Sequence, residues 1–99
     1  MENLKKIMLI DDDPSITSLL KLKLEKTGKF TVVFTNKSKQ ALSLARAEQP
    51  NLIICDIEMP GMDGGDVARG ILDTEDTKDI PILFSSSLVM PSDTKDGMV

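Results

Sequence analysis

The chain has 99 residues, a formal net charge of -4 and 40% hydrophobic residues. This length accommodates one domain with one core, and no apolar run approaches the roughly 18 residues that a membrane span requires. The negative charge and the lack of a Lys/Arg cluster argue against direct nucleic-acid binding by this segment. Because the polar N-terminus leads directly into an apolar run, unlike a signal peptide, we expect a cytoplasmic domain without membrane association.

Short apolar runs alternate with helical patterns along the chain. The sequence predicts four strands, at Ile7–Ile10, Phe30–Thr35, Leu52–Cys55 and Ile80–Phe84. It predicts helices at Pro14–Lys26, Ser38–Glu48 and Asp66–Leu72, a polar loop at Asp73–Asp79, and a last helix that begins near Ser92. We expect Asp13 to cap the first helix, Gly28 to end it, and Cys55 to be a buried apolar residue rather than a reactive thiol.

The alternation of strands and helices predicts an α/β fold. Short connections of this kind require right-handed crossovers and a doubly wound parallel sheet with helices on both faces. The functional crevice of such sheets lies outside the carboxyl ends of the strands. The first strand is followed by Asp11 and Asp12, and the third by Asp56. Since Ser85 and Ser86 follow the fourth strand, all of these side chains are expected to converge.

Carboxylates gathered in one cleft indicate a metal site. They repel one another unless a hard divalent cation is shared among them, so the sequence predicts a Mg²⁺-dependent aspartate site. A carboxylate such as Asp56 can attack phosphorus and form an acyl phosphate. A hydroxyl such as Ser86 can then donate a hydrogen bond to the phosphoryl group and pull the following loop inward. The chain has no histidine, so an imidazole that took part in such a transfer would have to come from elsewhere.

Each of these features also has a simpler interpretation. The acidic run at 11–13 could be only a helix start favoured by the helix dipole. Asp56 could be an ordinary turn residue, and Ser86 a loop hydroxyl. Their coincidence at the ends of the expected strands favours a functional site.

Three segments together resemble the receiver domains of two-component response regulators. They are IMLIDDDPS at 7–15, NLIICDIEMPGMDG at 51–64 and IPILFSSS at 80–87. The first is similar to the family's first strand and acidic pair, and the second to its phosphoacceptor strand and loop. The third is similar to the fourth strand, with Ser86 at the family's Ser/Thr position. The resemblance extends along the whole chain and implies a flavodoxin-like sheet of strand order 2-1-3-4.

The resemblance also implies a role for each site residue. Asp56 would accept a phosphoryl group from a histidine kinase or a histidine phosphotransfer protein. Asp12 and Asp56 would bind Mg²⁺ directly and Asp11 through water, while the main-chain carbonyl of Glu58 would supply another oxygen. Ser86 would be the switch hydroxyl. Such a chain is a signalling phosphoacceptor rather than an enzyme, and at most it catalyses its own phosphorylation and dephosphorylation.

The chain departs from the family's pattern at its C-terminus. The family's fifth strand, Lys-Pro step and fifth helix have no counterpart here. Lys95 follows Ser86 by only nine residues, so the chain offers no catalytic lysine. We therefore expect residues 1–99 to be a C-terminally incomplete receiver domain, whose fourth strand is an edge that favours a homodimer or a domain swap.

Two other functions are compatible with parts of this pattern. The missing lysine favours a degenerate receiver that acts as a phosphorylation-independent interaction module. The spacing of Asp11 and Asp13 also matches the Asp-x-Asp of haloacid-dehalogenase-like phosphatases, in which Asp11 would be the nucleophile. That second alternative leaves the loop after Asp56 unexplained.

Overall fold

The computed structural model describes residues 4–85. The strands are β1 (Lys5–Ile10), β2 (Phe30–Thr35), β3 (Leu52–Asp56) and β4 (Ile82–Ser85). The helices are α1 (Pro14–Lys26), α2 (Ala41–Glu48) and α3 (Gly64–Leu72), with a 3-10 turn at Ser38–Gln40 before α2. The predicted switch residue Ser86 and the predicted helix from Ser92 lie outside the described residues. Within these residues, none of the helices has the length and apolar character needed to cross a membrane.

The four strands form one parallel sheet in the order β2-β1-β3-β4. This architecture confirms the predicted fold class and strand order. In the register, Ile10 pairs with Thr35 on one side and Cys55 on the other. Asp56 in turn pairs with Ser85. The residues that follow these positions therefore emerge together at the carboxyl edge of the sheet.

Each face of the sheet carries its own apolar cluster, as expected when helices cover both sides. The larger cluster joins alternate residues of β1 and β3 to α2 and α3, and it contains Met8, Ile10, Ala41, Ala45, Ile53, Cys55, Met59, Val67 and Ile71. The smaller cluster contains Ile7, Leu9 and Val32, with Leu20 and Leu24 of α1 packed against it. Since successive side chains of a strand point to opposite faces, β1 is buried on both.

Several element boundaries differ from the predicted ones; at the site, β3 ends at Asp56 rather than at Cys55 and β4 at Ser85 rather than at Phe84. The third helix begins at Gly64 rather than at Asp66, because Asp63 and Asp66 form a reciprocal capping box around its first turn. The fourth strand begins at Ile82 rather than at Ile80. Ile80 instead donates its main-chain N–H to the carbonyl of Thr77 in a turn.

Candidate functional site

Three aspartates meet at the carboxyl edge of the sheet. Asp11 and Asp12 directly follow β1, and Asp56 ends β3. One carboxylate oxygen from each residue lies within 4.8 Å of the others. Asp11 and Asp56 are only 6% and 1% exposed, whereas Asp12 is exposed. The structure thus brings together the three carboxylates that the sequence singled out. Two of them are buried, and the cluster is open to solvent at Asp12.

The loop between β1 and α1 is shaped by its own acidic side chains. Asp11 Oδ1 accepts a hydrogen bond of 2.9 Å from the main-chain N–H of Asp13. Asp13 Oδ1 accepts one of 2.9 Å from Ser15 N–H and so caps α1, with Pro14 in the first turn. This cap was predicted from the sequence. Asp12 and Asp13 are both exposed, but the Asp13 carboxylate is engaged as the cap of α1.

The buried carboxyl of Asp11 lies next to other acidic side chains. Burial raises the pKa of the Asp11 carboxyl, and the neighbouring carboxylates of Asp56, Asp12 and Asp13 raise it further. The hydrogen bond from the Asp13 N–H opposes this effect without reversing it. The ionised form of Asp11 is therefore less favoured than that of a carboxyl in water.

A close approach of α3 to β3 constrains the Asp56 main chain, and the sequence pattern alone does not reveal it. Gly64, the first residue of α3, donates a hydrogen bond of 2.8 Å to the carbonyl of Ile57. A Cβ at Gly64 would lie 2.5 Å from the carbonyl oxygen of Asp56 and 2.9 Å from Ile57 Cα. Only glycine permits this approach. The sequence contains the glycine but reveals no partner for it, and the turn-rich segment around Gly64 predicts a loop there.

A second residue that the sequence did not reveal is Asn36, which directly follows β2. Its side-chain amide donates hydrogen bonds to the main-chain carbonyl of Asp11, at 2.8 Å, and to Thr17 Oγ1, at 3.0 Å. The available signal was its place at the end of a strand, since polar residues there face the same edge of the sheet.

The roles of the other two predicted site residues, Glu58 and Ser86, stay predictions. Glu58 is exposed in the loop after β3, and the role of its main-chain carbonyl stays a prediction. Ser86 lies outside the described residues, so its role as a switch hydroxyl also stays a prediction. The preceding residue, Ser85, accepts a hydrogen bond of 3.0 Å from the N–H of Ile57. The end of β4 is thereby tied to the residue that follows Asp56.

A cavity of about 450 Å³ opens beside Asp12. Lys37 and Lys39 contribute to one wall, and Met59 and Pro60 to another. Neither lysine forms an ion pair with any acidic residue in the range 4–85. The cavity therefore offers space and positive charge next to the exposed member of the acidic cluster.

Cys55 is adjacent to the cluster, but its thiol is not reactive. Its side chain is 0% exposed, and its thiol lies 3.3 Å from the carbonyl oxygen of Asp56, to which it donates. Burial, followed by the charges of Asp56, Asp11 and Asp63, raises the pKa of the thiol to about 12. As predicted, Cys55 is a packing residue, because the reactive thiolate is not formed near neutral pH.

Comparison with known proteins agrees with this geometry. Residues 7–99 match the family model of the response regulator receiver domain. The alkaline phosphatase synthesis transcriptional regulatory protein PhoP of Bacillus subtilis is 38% identical over 65 residues, which cover 66% of this chain and 27% of PhoP. The probable transcriptional regulator ycf27 of Cyanophora paradoxa is 33% identical over 96 residues, 97% of this chain and 38% of its own length. The chain thus spans less than half the length of these two relatives.

Solved structures show the same fold. The N-terminal domain of a response regulator receiver protein from Methanoculleus marisnigri JR1 superposes with a TM-score of 0.80 at 28% identity, covering 93% of this chain and 75% of that one. The chemotaxis protein CheY4 of Vibrio cholerae also gives 0.80, at 25% identity, covering 97% of this chain and 79% of that one. The parallel sheet, the acidic cluster at its carboxyl edge and these matches lead to one conclusion: the chain belongs to the family of response regulator receiver domains.

Proposed function

We propose that this chain takes a phosphoryl group from a phosphohistidine donor onto Asp56, with Mg²⁺, and changes conformation for signalling. The observation that carries the proposal is the convergence of Asp11, Asp12 and Asp56 within 4.8 Å. Family membership supports a phosphoacceptor role in general. We infer the identities of the acceptor residue, the metal ion and the phosphoryl donor from the chemistry of the site.

The donor set fits Mg²⁺. Magnesium prefers oxygen ligands, keeps several waters, and is usually held by one or two carboxylates together with substrate oxygens. Asp12 and Asp56 would hold the ion directly and Asp11 through water, with the carbonyl of Glu58 as a further ligand. The raised pKa of Asp11 supports a cation site, because burial and then the neighbouring carboxylates disfavour its charged form, and a bound cation would offset that effect. When bound, the ion would neutralise charge on the phosphoryl oxygens.

As in phosphoryl transfer generally, the main contribution of the protein to this reaction is to position the reacting groups. A carboxylate oxygen of Asp56 forms the new bond to phosphorus while the bond from phosphorus to the donor nitrogen breaks, and the imidazole leaves. Asp56 is held in place by β3 and by the close packing of Gly64 against its main chain. The donor approaches from the open side of the cluster, where Lys37 and Lys39 line the cavity beside Asp12.

A route for the signal follows from the connection between β3 and β4. The hydrogen bond from Ile57 N–H to the Ser85 carbonyl links the residue after the acceptor to the end of β4. Donation by the Ser86 hydroxyl to a phosphoryl group on Asp56 would pull the adjoining segment toward the site. Such a movement changes the surface offered to a partner, which is the basis of the proposed switch.

The direct test is labelling with acetyl phosphate, or occupancy by beryllofluoride, with the modified residue located by mass spectrometry. We expect label on Asp56 only when Mg²⁺ is present. Asp56→Asn should abolish labelling and Asp12→Ala should weaken Mg²⁺ binding. Asp79→Asn is the control, because Asp79 is an exposed acidic residue that precedes β4, at the opposite end of the sheet.

The same experiment separates the two alternatives. Label on Asp11 would support an aspartate-nucleophile phosphatase, although the engagement of Asp13 as a helix cap leaves that reaction without its second free aspartate. A chain that binds its partner but accepts no label would be a degenerate receiver acting as an interaction module. A histidine kinase or phosphotransfer protein is the proposed donor. A homodimer or domain swap, the absence of nucleic-acid binding and a cytoplasmic location remain predictions.

A further inference from the structure

One asparagine joins three chain segments at the carboxyl edge of the sheet, beside the acidic cluster. Asn36 follows β2, and its Nδ2 donates a hydrogen bond of 2.8 Å to the carbonyl of Asp11 and one of 3.0 Å to Thr17 Oγ1. Thr17 is 0% exposed in α1, and its hydroxyl donates to the carbonyl of Pro14 at 3.1 Å. A single side chain from the end of β2 therefore connects the end of β1 with the first turn of α1.

These bonds act on the peptide group that leads into Asp12. Regular pairing of β1 with β2 ends at Ile10 and Thr35, and one further bond runs from Asp11 N–H to the Thr35 carbonyl at 3.3 Å. Because a peptide group is planar, fixing the carbonyl of Asp11 also fixes the direction in which the chain enters Asp12. Asp12 itself is exposed, so side-chain packing contributes little to its placement.

We propose that Asn36 is a positioning residue for Asp12 as a metal ligand, acting through the Asp11 carbonyl without touching the ion. The inference rests on the proposed Mg²⁺ site. Groups that orient metal ligands from outside the coordination sphere typically contribute roughly 10–100-fold in metal affinity. The lower end applies here, because Asp56 is placed independently by β3. Asn36→Ala should therefore weaken Mg²⁺ binding by about 10-fold.

A matched control is Asn51, an asparagine that bonds to the main chain of β1 at the amino end of that strand. Asn51 Oδ1 accepts a hydrogen bond of 2.7 Å from the main-chain N–H of Lys6. Asn51→Ala, like Asn36→Ala, removes an asparagine bond to the β1 main chain, but at the amino end and away from Asp12. Both variants should lower the midpoint of thermal unfolding. Only Asn36→Ala should lower the affinity for Mg²⁺.

Thr17 provides a second pair of variants. Thr17→Ser keeps the hydroxyl that accepts from Asn36 and should bind Mg²⁺ as the wild type does. Thr17→Val keeps the shape of the buried side chain but removes the acceptor, so Mg²⁺ affinity should fall by a few-fold. This pair keeps the inference testable if Asn36→Ala does not fold.

The experiment is calorimetric titration of the 99-residue chain and its variants with Mg²⁺ alone. Acetyl phosphate labelling is then followed as a function of Mg²⁺ concentration. We expect the labelling rate of Asn36→Ala to return to the wild-type value at saturating Mg²⁺, a rescue that general destabilisation would not give. Unchanged affinity in Asn36→Ala, or equal losses in the Asn36 and Asn51 variants, overturns the inference alone. A wild-type chain that binds no Mg²⁺ overturns the proposed metal site and the inference together.

Discussion

Adding one methyl group at Gly64 or at Gly70 should change stability in opposite directions. Both glycines lie in α3. A Cβ at Gly64 would lie 2.5 Å from the carbonyl oxygen of Asp56, whereas a Cβ at Gly70 would have no heavy atom within 4 Å. Gly64→Ala and Gly70→Ala therefore make the same chemical change in the same helix, and only the first meets the main chain of β3.

The expected magnitudes follow from these surroundings. At Gly64 the obstructing atoms belong to the backbone and cannot rotate away, so α3 must shift, at a cost of about 1–3 kcal/mol for overpacking. The shift also weakens the hydrogen bond of 2.8 Å from Gly64 N–H to the Ile57 carbonyl, which adds about 1 kcal/mol. At Gly70 alanine is the better helix former and should stabilise the protein by up to about 1 kcal/mol.

Thermal unfolding with urea titration measures both effects. For a domain of this size about 1 kcal/mol corresponds to roughly 4–8 °C in the unfolding midpoint. Gly64→Ala should lower the midpoint by on the order of 10 °C or more, and Gly70→Ala should raise it by several degrees. Gly64→Ala should also weaken Mg²⁺ binding, because the displaced main chain is that of Asp56. Equal stability of the two variants would show that α3 does not pack on β3 in this way.

Two further predictions concern the cluster and its neighbour. The folded-state pKa of Asp11 is raised above its ordinary value of 3.8, so its favourable contribution to stability is present below that value and is lost as the pH rises through the folded-state pKa. Asp11→Asn should therefore raise the unfolding midpoint at pH 7 in the presence of a chelator, and the gain should shrink as the pH falls toward 3.8; a gain that persists at the lowest pH would contradict this. Cys55, whose thiol pKa is raised to about 12, should resist alkylation at pH 8 in the folded protein and react promptly in denaturant; mass spectrometry that finds rapid labelling of the folded chain would disprove its burial.

The sequence by itself determined the order and type of the elements. The apolar runs at Phe30–Thr35 and within β1 and β3, and the periodic pattern from Pro14 to Lys26, were sufficient because burial repeats with the period of each element. The Asp13 cap was also predictable, since a cap involves residues that are adjacent along the chain. The acidic strand ends could be placed at one edge because parallel sheets bring carboxyl ends together.

Only the tertiary structure decided how the site is held. The bond between Asn36 and Asp11 spans 25 residues, and the approach of Gly64 to Asp56 depends on how α3 packs on β3. Neither leaves a periodic trace in the sequence, because each depends on the register of the sheet and the path of a crossover. The identities of the clustered carboxylates are therefore local information, whereas the contacts that fix their geometry arise only when the chain is folded.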